Sequence, residues 1–115
     1  MVDFKITKTT LLKEQNNDMA HNYYFLIQGR LYNEDKTKYR KFKFVEWVDI
    51  FDVQEYFDHK EWINVNDAKQ FALECACSHI EQVNDFNDEK TLRDFYNYMV
   101  ETIEHYNKLA CYWNW

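Results

Sequence analysis

The densest set of metal- and nucleophile-type side chains in this chain is Cys75-Ala76-Cys77-Ser78-His79. Thiolates and imidazole suit zinc or copper, and a thiol beside an imidazole can be a nucleophile activated by its base. The neighbouring residues limit what the cluster can do. Ala68, Phe71, Ala72, Cys75, Ala76 and Val83 recur at helical spacing, so the segment reads as a helix. On a helix Cys75 and His79 share a face, while Cys77 points about 160° away from His79. A structural zinc site needs four converging ligands, usually from paired spacings. His79 lies within the apolar stripe, where a neutral imidazole bonded to a carbonyl or a Tyr hydroxyl is the ordinary state and Cys75 is a small core residue.

Other catalytic patterns are weaker. Glu101 and His105 stand at i, i+4, a common solvated pair, and Asp58-His59 falls at a helix end. With one Gly in the chain, a phosphate-cradling glycine loop is impossible, and there is no G-x-S-x-G or H-E-x-x-H. The expectation is a protein that is not an enzyme, with no cofactor and no metal.

Charge is more informative. Residues 1–43 hold nine Lys/Arg against five Asp/Glu, a net of +4, whereas residues 44–115 hold five against fifteen, a net of −10. Segregated charge steers partners and favours one docking orientation. Read with a period of two, the basic half places Lys5, Tyr24, Arg30, Tyr32, Tyr39, Lys41, Lys43 and Trp47 on one side of a sheet. Of these, Tyr24, Arg30, Tyr32, Tyr39, Lys41, Lys43 and Trp47 are the expected partner-binding residues. Cations beside flat rings suit single-stranded nucleic acid or a nucleotide, since phosphates meet Lys and Arg and bases stack on aromatics. The overall charge of −6 argues against that ligand, because most such binders are basic overall. Leu26, Val45 and Trp47 also make the face too apolar for open water, which favours burial by a partner or a second protomer.

The acidic half offers Glu81, Asp85, Asp88, Glu89, Asp94, Glu101 and Glu104 with few compensating cations, and Trp115 ends a Trp-rich tail. Spaced carboxylates can imitate phosphates and occupy a nucleic-acid-binding groove on another protein; otherwise they are the solvated sides of amphipathic helices. Tyr and Trp are frequent interface anchors. Trp113 either continues the helix stripe or belongs to a tail that anchors a partner.

The elements that must position these groups emerge from periodicity. Phe4, Ile6, Thr10 and Leu12 mark a strand over 3–12, a second runs from Tyr23 to Leu31, and a third carries Phe42, Phe44, Val48 and Ile50 inward. Short polar turns between them give an antiparallel meander. Asp52-Val53-Gln54-Glu55 has the form of a capping box, predicting a short helix to about Asp58 that buries Val53, Tyr56 and Phe57. Trp62, Ile63 and Val65 read as an extended linker packing inward. Asp67 and Gln70 cap the next helix. The last, opened by Asp88 and Glu89, carries the stripe Leu92, Phe95, Tyr96, Met99, Ile103 and Tyr106, continuing through Ala110 and Trp113. Gly29, alone in a strand, marks a bulge or close approach, or a small residue beneath a large aromatic.

The fold class is therefore a single α+β domain over 1–115: a three-stranded antiparallel sheet (1–50), then two or three helices packed on one sheet face (51–115). At 46% hydrophobic and 19% aromatic the chain is not disordered. Three Cys, no signal peptide and no bilayer-length apolar run suggest a reduced cytoplasmic setting without membrane partners. Eleven Lys to three Arg, with eleven Asn and nine Tyr, is a compositional hint of an A/T-rich bacterial or phage genome. The leading expectation is a non-enzymatic binding or inhibitor protein of phage or mobile-element type, anti-CRISPR-like, whose partner is another protein, one that handles nucleic acid. The alternative is single-stranded nucleic acid or a nucleotide on the basic aromatic face, with homo-oligomers placing a site between protomers.

Overall fold

A computed structural model describes residues 2–17 and 20–113; Trp115, named above as a partner-binding residue, lies outside the described residues. Three antiparallel strands in the order β1 (Asp3–Asn16), β2 (His21–Tyr32) and β3 (Tyr39–Asp49) are followed by α1 (Ile50–Tyr56), α2 (Val65–Ile80) and α3 (Glu89–Trp113). The α+β architecture expected from the sequence is the one observed.

Alternation in β2 and β3 puts Phe25, Ile27, Leu31, Phe42, Phe44 and Val48 on one face, all buried. Against it lie Ala68, Ala72, Ala76 and Ile80 of α2 and Leu92 and Phe95 of α3. Three alanines on the facing stripe let α2 sit close to the sheet, and Phe95 fills the space with its ring edge-on to Phe42 and Phe44 at 5.7 and 5.9 Å. Gly29 belongs to this face. A Cβ there would stand 2.3 Å from the Lys5 carbonyl oxygen and 2.5 Å from Phe42 Cζ, so the residue must be small to sit beneath the aromatic.

With a single Gly, Asn and Asp make the turns. In the β2–β3 turn, Asn33 Oδ1 accepts from the Lys38 amide at 2.9 Å, and the Thr37 hydroxyl donates to Asp35 at 2.6 Å. That hydroxyl, with the Thr37 amide, holds the Asp35 carboxyl below its usual range.

Several local expectations need correction. β1 is not evenly alternating: its pairing with β2 slips between Ile6 and Lys8 and again between Leu11 and Lys13. Each slip inserts one residue and reverses the facing of the residues beyond it. Thr10 therefore pairs with Leu26 on the second face instead of lying inward with Phe4 and Ile6. The cap of α1 is Asp49, whose side chain accepts from the Phe51 amide at 2.7 Å, so the helix begins where β3 ends and before the expected box at Asp52. The cap of α2 is Asn64, not Asp67; the two form a reciprocal box, with Val65 already helical.

The helices do not all keep to one face of the sheet. α3 is about 37 Å long at 1.5 Å per residue. Its first half packs over Phe42 and Phe44. Midway, the Thr102 hydroxyl accepts from the Val45 amide at 3.1 Å. That amide points away from β2, so the helix passes the free edge of β3 there. Its last turns lie on the second face, with Tyr106 and Trp113 against Tyr24 at 5.7 and 5.2 Å.

Candidate binding surfaces

Strand register arranges the second face in five cross-strand rows: Asp3–Tyr32–Tyr39, Lys5–Arg30–Lys41, Lys8–Gln28–Lys43, Thr10–Leu26–Val45 and Lys13–Tyr24–Trp47. Arg30, Lys41 and Lys43 thus project together, as the sequence alternation requires. The bulge after Ile6 adds Lys8 to them. An evenly alternating β1 would have turned Lys8 to the other side, which is why the sequence pattern does not show it; Lys13, returned to this face by the second slip, lies beyond the strand expected over 3–12.

The two ends of this face differ. At one end Tyr24 is only 5% exposed and Val45 is buried, both beneath the last turns of α3. Tyr24 is therefore an internal residue and not part of an open contact surface, a correction to the expected site. Its hydroxyl is raised above the usual tyrosine range, first by burial and then by Tyr106. Lys13 lies 5.6 Å above the Trp113 ring, and Trp47, 54% exposed, stacks at the margin of the cluster. Trp113 continues the helix stripe, as one of its two readings had it. At the other end Lys5, Lys8, Lys41 and Lys43 are exposed and Arg30 is half-buried. Arg30 lies 4.4 Å from the Tyr39 ring centroid, and Tyr32 and Tyr39 are 6.5 Å apart.

The inner face holds a polar group that the alternation concealed. Glu46 occupies an inward position of β3 and is 6% exposed. Tyr98 donates to its Oε2 at 3.4 Å, and His79 Nε2 stands 3.3 Å from Oε1. The latter contact is out of line for a hydrogen bond, so Oε1 has no donor among the described residues. Burial, and then the charge of Glu46, push the Tyr98 hydroxyl far above its ordinary range, so it stays a donor. The His79 ring also lies against that of Tyr98, tilted by 32° with centroids 4.6 Å apart.

The surroundings of Cys75 and Cys77 do not favour their thiolates. Burial raises both thiols, Cys75 further through Glu46, Asp52 and Glu74, and Cys77 through Glu74 and Glu81. Activation would require the opposite shift. Among the described residues no three His, Cys, Asp or Glu side chains are grouped to hold a metal ion.

The helical layer carries the acidic residues. Glu81, Asp85, Glu89, Asp94, Glu101 and Glu104 are exposed. Asp88 is engaged at the start of α3, where it accepts from the Thr91 hydroxyl at 2.9 Å and from Asn84 at 3.2 Å. These contacts, the Thr91 hydroxyl foremost, hold its carboxyl below the usual range. A second acidic region surrounds α1, and there the aromatics face water. Phe51 is 72% exposed, Trp62 80%, and Tyr56 is also open, interspersed with Asp52, Glu55, Asp58 and Glu61. The expectation that Trp62 and Tyr56 pack inward is corrected. α1 is only two turns long and buries Val53 alone, and Phe57 and Ile63 supply the inward contacts of the linker. The signal present in the sequence was composition: rings alternating with acids over 49–62.

No described helix is long and apolar enough to cross a membrane. Compared with known protein families, curated proteins and solved structures, the chain matches none.

Proposed function

We propose that this chain is a non-enzymatic binding protein that acts by protein–protein contact, presenting its acidic helical layer to the basic surface of a partner. The observation that carries this reading is the pairing of large exposed rings with carboxylates around α1. Phe51 and Trp62 are among the most exposed side chains of their size, and Asp52, Glu55, Asp58 and Glu61 stand beside them in sequence. Exposed aromatics within a charged surround match the anatomy of interface anchors, which gain most from desolvation on binding. The carboxylates of α2 and α3 extend the same sign of charge. A partner that handles nucleic acid has the complementary basic surface, so occupation of that surface by this chain would exclude the nucleic acid. This is the action of an inhibitor, and of the anti-defence type in a phage or mobile-element setting.

The test is capture from bacterial lysate with the wild-type chain and with Phe51→Ala/Trp62→Ala, followed by competition with nucleic acid for the recovered protein. A basic protein retained at low salt, released by salt, lost with the double variant and displaced by nucleic acid is the expected result. Retention that the variant leaves unchanged, or no retention at low salt, would overturn the reading.

A further inference from the structure

The uncovered end of the second sheet face presents a separate problem of charge. Lys5, Arg30 and Lys41 are direct cross-strand neighbours in one row, and Lys8 and Lys43 flank Gln28 in the next. Like charges directly opposite on a sheet destabilise it. None of the five is neutralised by a described residue. The salt bridges among the described residues join Glu14 to His21, Asp67 to Lys60 and Glu46 to His79. Asp3 is the single carboxylate within the three rows at this end. A groove of about 530 Å³ runs here, walled by Gln28, Arg30, Lys41 and Lys43, with Met99 of α3 also lining it.

We propose that this open end of the face binds a short single-stranded nucleic acid, with phosphates on the two cationic rows, the groove lying over their β2–β3 part, and a base on Tyr32 or Tyr39 beside it. The rows select a polyanion, since several phosphates on one backbone can meet cations about 6.8 Å apart along the strands. The rings select a base-bearing one. Tyr39 is half exposed with the Arg30 guanidinium already on its ring, the cation-and-ring pairing on which bases stack. A single strand uses cations and rings together, its phosphates on the one and its bases on the other. The span is bounded by the α3 roof over Tyr24 at one end and by Asp3 at the other, so it accommodates a few nucleotides and not a long strand. This site is independent of the acidic surface proposed above, and either can stand without the other.

Fluorescence anisotropy with labelled oligo(dT) of about eight nucleotides tests it at low salt. Saturable binding is expected, with log affinity falling against log salt at a slope of about −3 for roughly four phosphates engaged. Lys41→Glu/Lys43→Glu should weaken it at least tenfold. Lys69→Glu/Lys90→Glu, the same change of charge on exposed helix positions, should change it less than about threefold. Circular dichroism confirms that each variant is folded. Absence of saturable binding, or equal loss in both double variants, would overturn the site. So would an abasic strand of equal phosphate count binding as tightly as oligo(dT), because the rings would then do nothing. A low-salt dimer that Lys41→Glu/Lys43→Glu dissolves, with no oligonucleotide bound, would assign the face to self-assembly instead.

Discussion

The two ends of the second sheet face are built from the same strands and both carry rings and cations, yet they have opposite fates. At the Tyr24 end, α3 comes round the edge of β3 and encloses the ring beneath Tyr106 and Trp113. At the Lys41 end the helix is still over the other face, and the side chains meet water. Aromatic content alone therefore does not mark a binding surface in this chain. What separates the ends is whether the rows can be buried by the protein itself. Rings and a valine can be, at a gain of the usual apolar transfer free energy. Lys–Arg–Lys without a counter-ion cannot, because buried unpaired charge is too costly.

The largest effect that could break this contrast is loss of the roof. Tyr24→Ala should cost about 3 kcal/mol or more in urea unfolding, as expected for a buried aromatic truncated to Ala. A cost below about 1 kcal/mol would mean that the α3 end is not packed there. Next, Thr102→Val removes the acceptor for the Val45 amide while keeping the shape. An amide left without a partner at a covered edge should cost about 1–2 kcal/mol. A neutral result would place the crossing point elsewhere.

At the open end the sign reverses. Lys41→Glu converts a Lys–Arg–Lys row into one with an opposite charge beside Arg30, and should stabilise by about 0.5 kcal/mol. Destabilisation on thermal unfolding would show that the cations are already neutralised. The smallest effect concerns the connections. Asp35, Asp67 and Asp88 all have carboxyls held below their ordinary value: Asp35 chiefly by Thr37, Asp67 by Lys60 and then the Asn64 amide, and Asp88 by Thr91. Their stabilisation is complete above the ordinary value near 3.8 and is lost as pH falls through the depressed ones. Amide exchange at pH 3 should therefore loosen the 33–38 turn and the starts of α2 and α3 before the sheet. Uniform loosening would contradict this.

How far these contrasts were legible in the sequence varied with the element. The faces of β2 and β3 followed from alternation, since neither strand has an irregularity against the other. β1 defeated the same reading because each slip reverses the facing, and a bulge leaves no mark in a Thr- and Lys-rich strand. The stripe from Leu92 to Trp113 predicted a long helix correctly. It could not predict the crossing, because a helical period names the buried side of a helix and not the surface beneath it. Glu46 was hidden as a carboxylate at an inward position whose company, His79 and Tyr98, lies far along the chain. In the linker 62–65, read from the sequence as packing inward throughout, Ile63 meets the core while Trp62, six residues beyond the end of α1, stays in water.

The passage of α3 across the β3 edge, which divides the second face into a roofed and an open end, is tested most directly by proton–proton Overhauser contacts in solution. Cross-peaks between the Tyr24 ring and the rings of Tyr106 and Trp113, with a slowly exchanging Val45 amide, are the expected result. A Tyr24 ring free of contacts with α3, beside a rapidly exchanging Val45 amide, would contradict it.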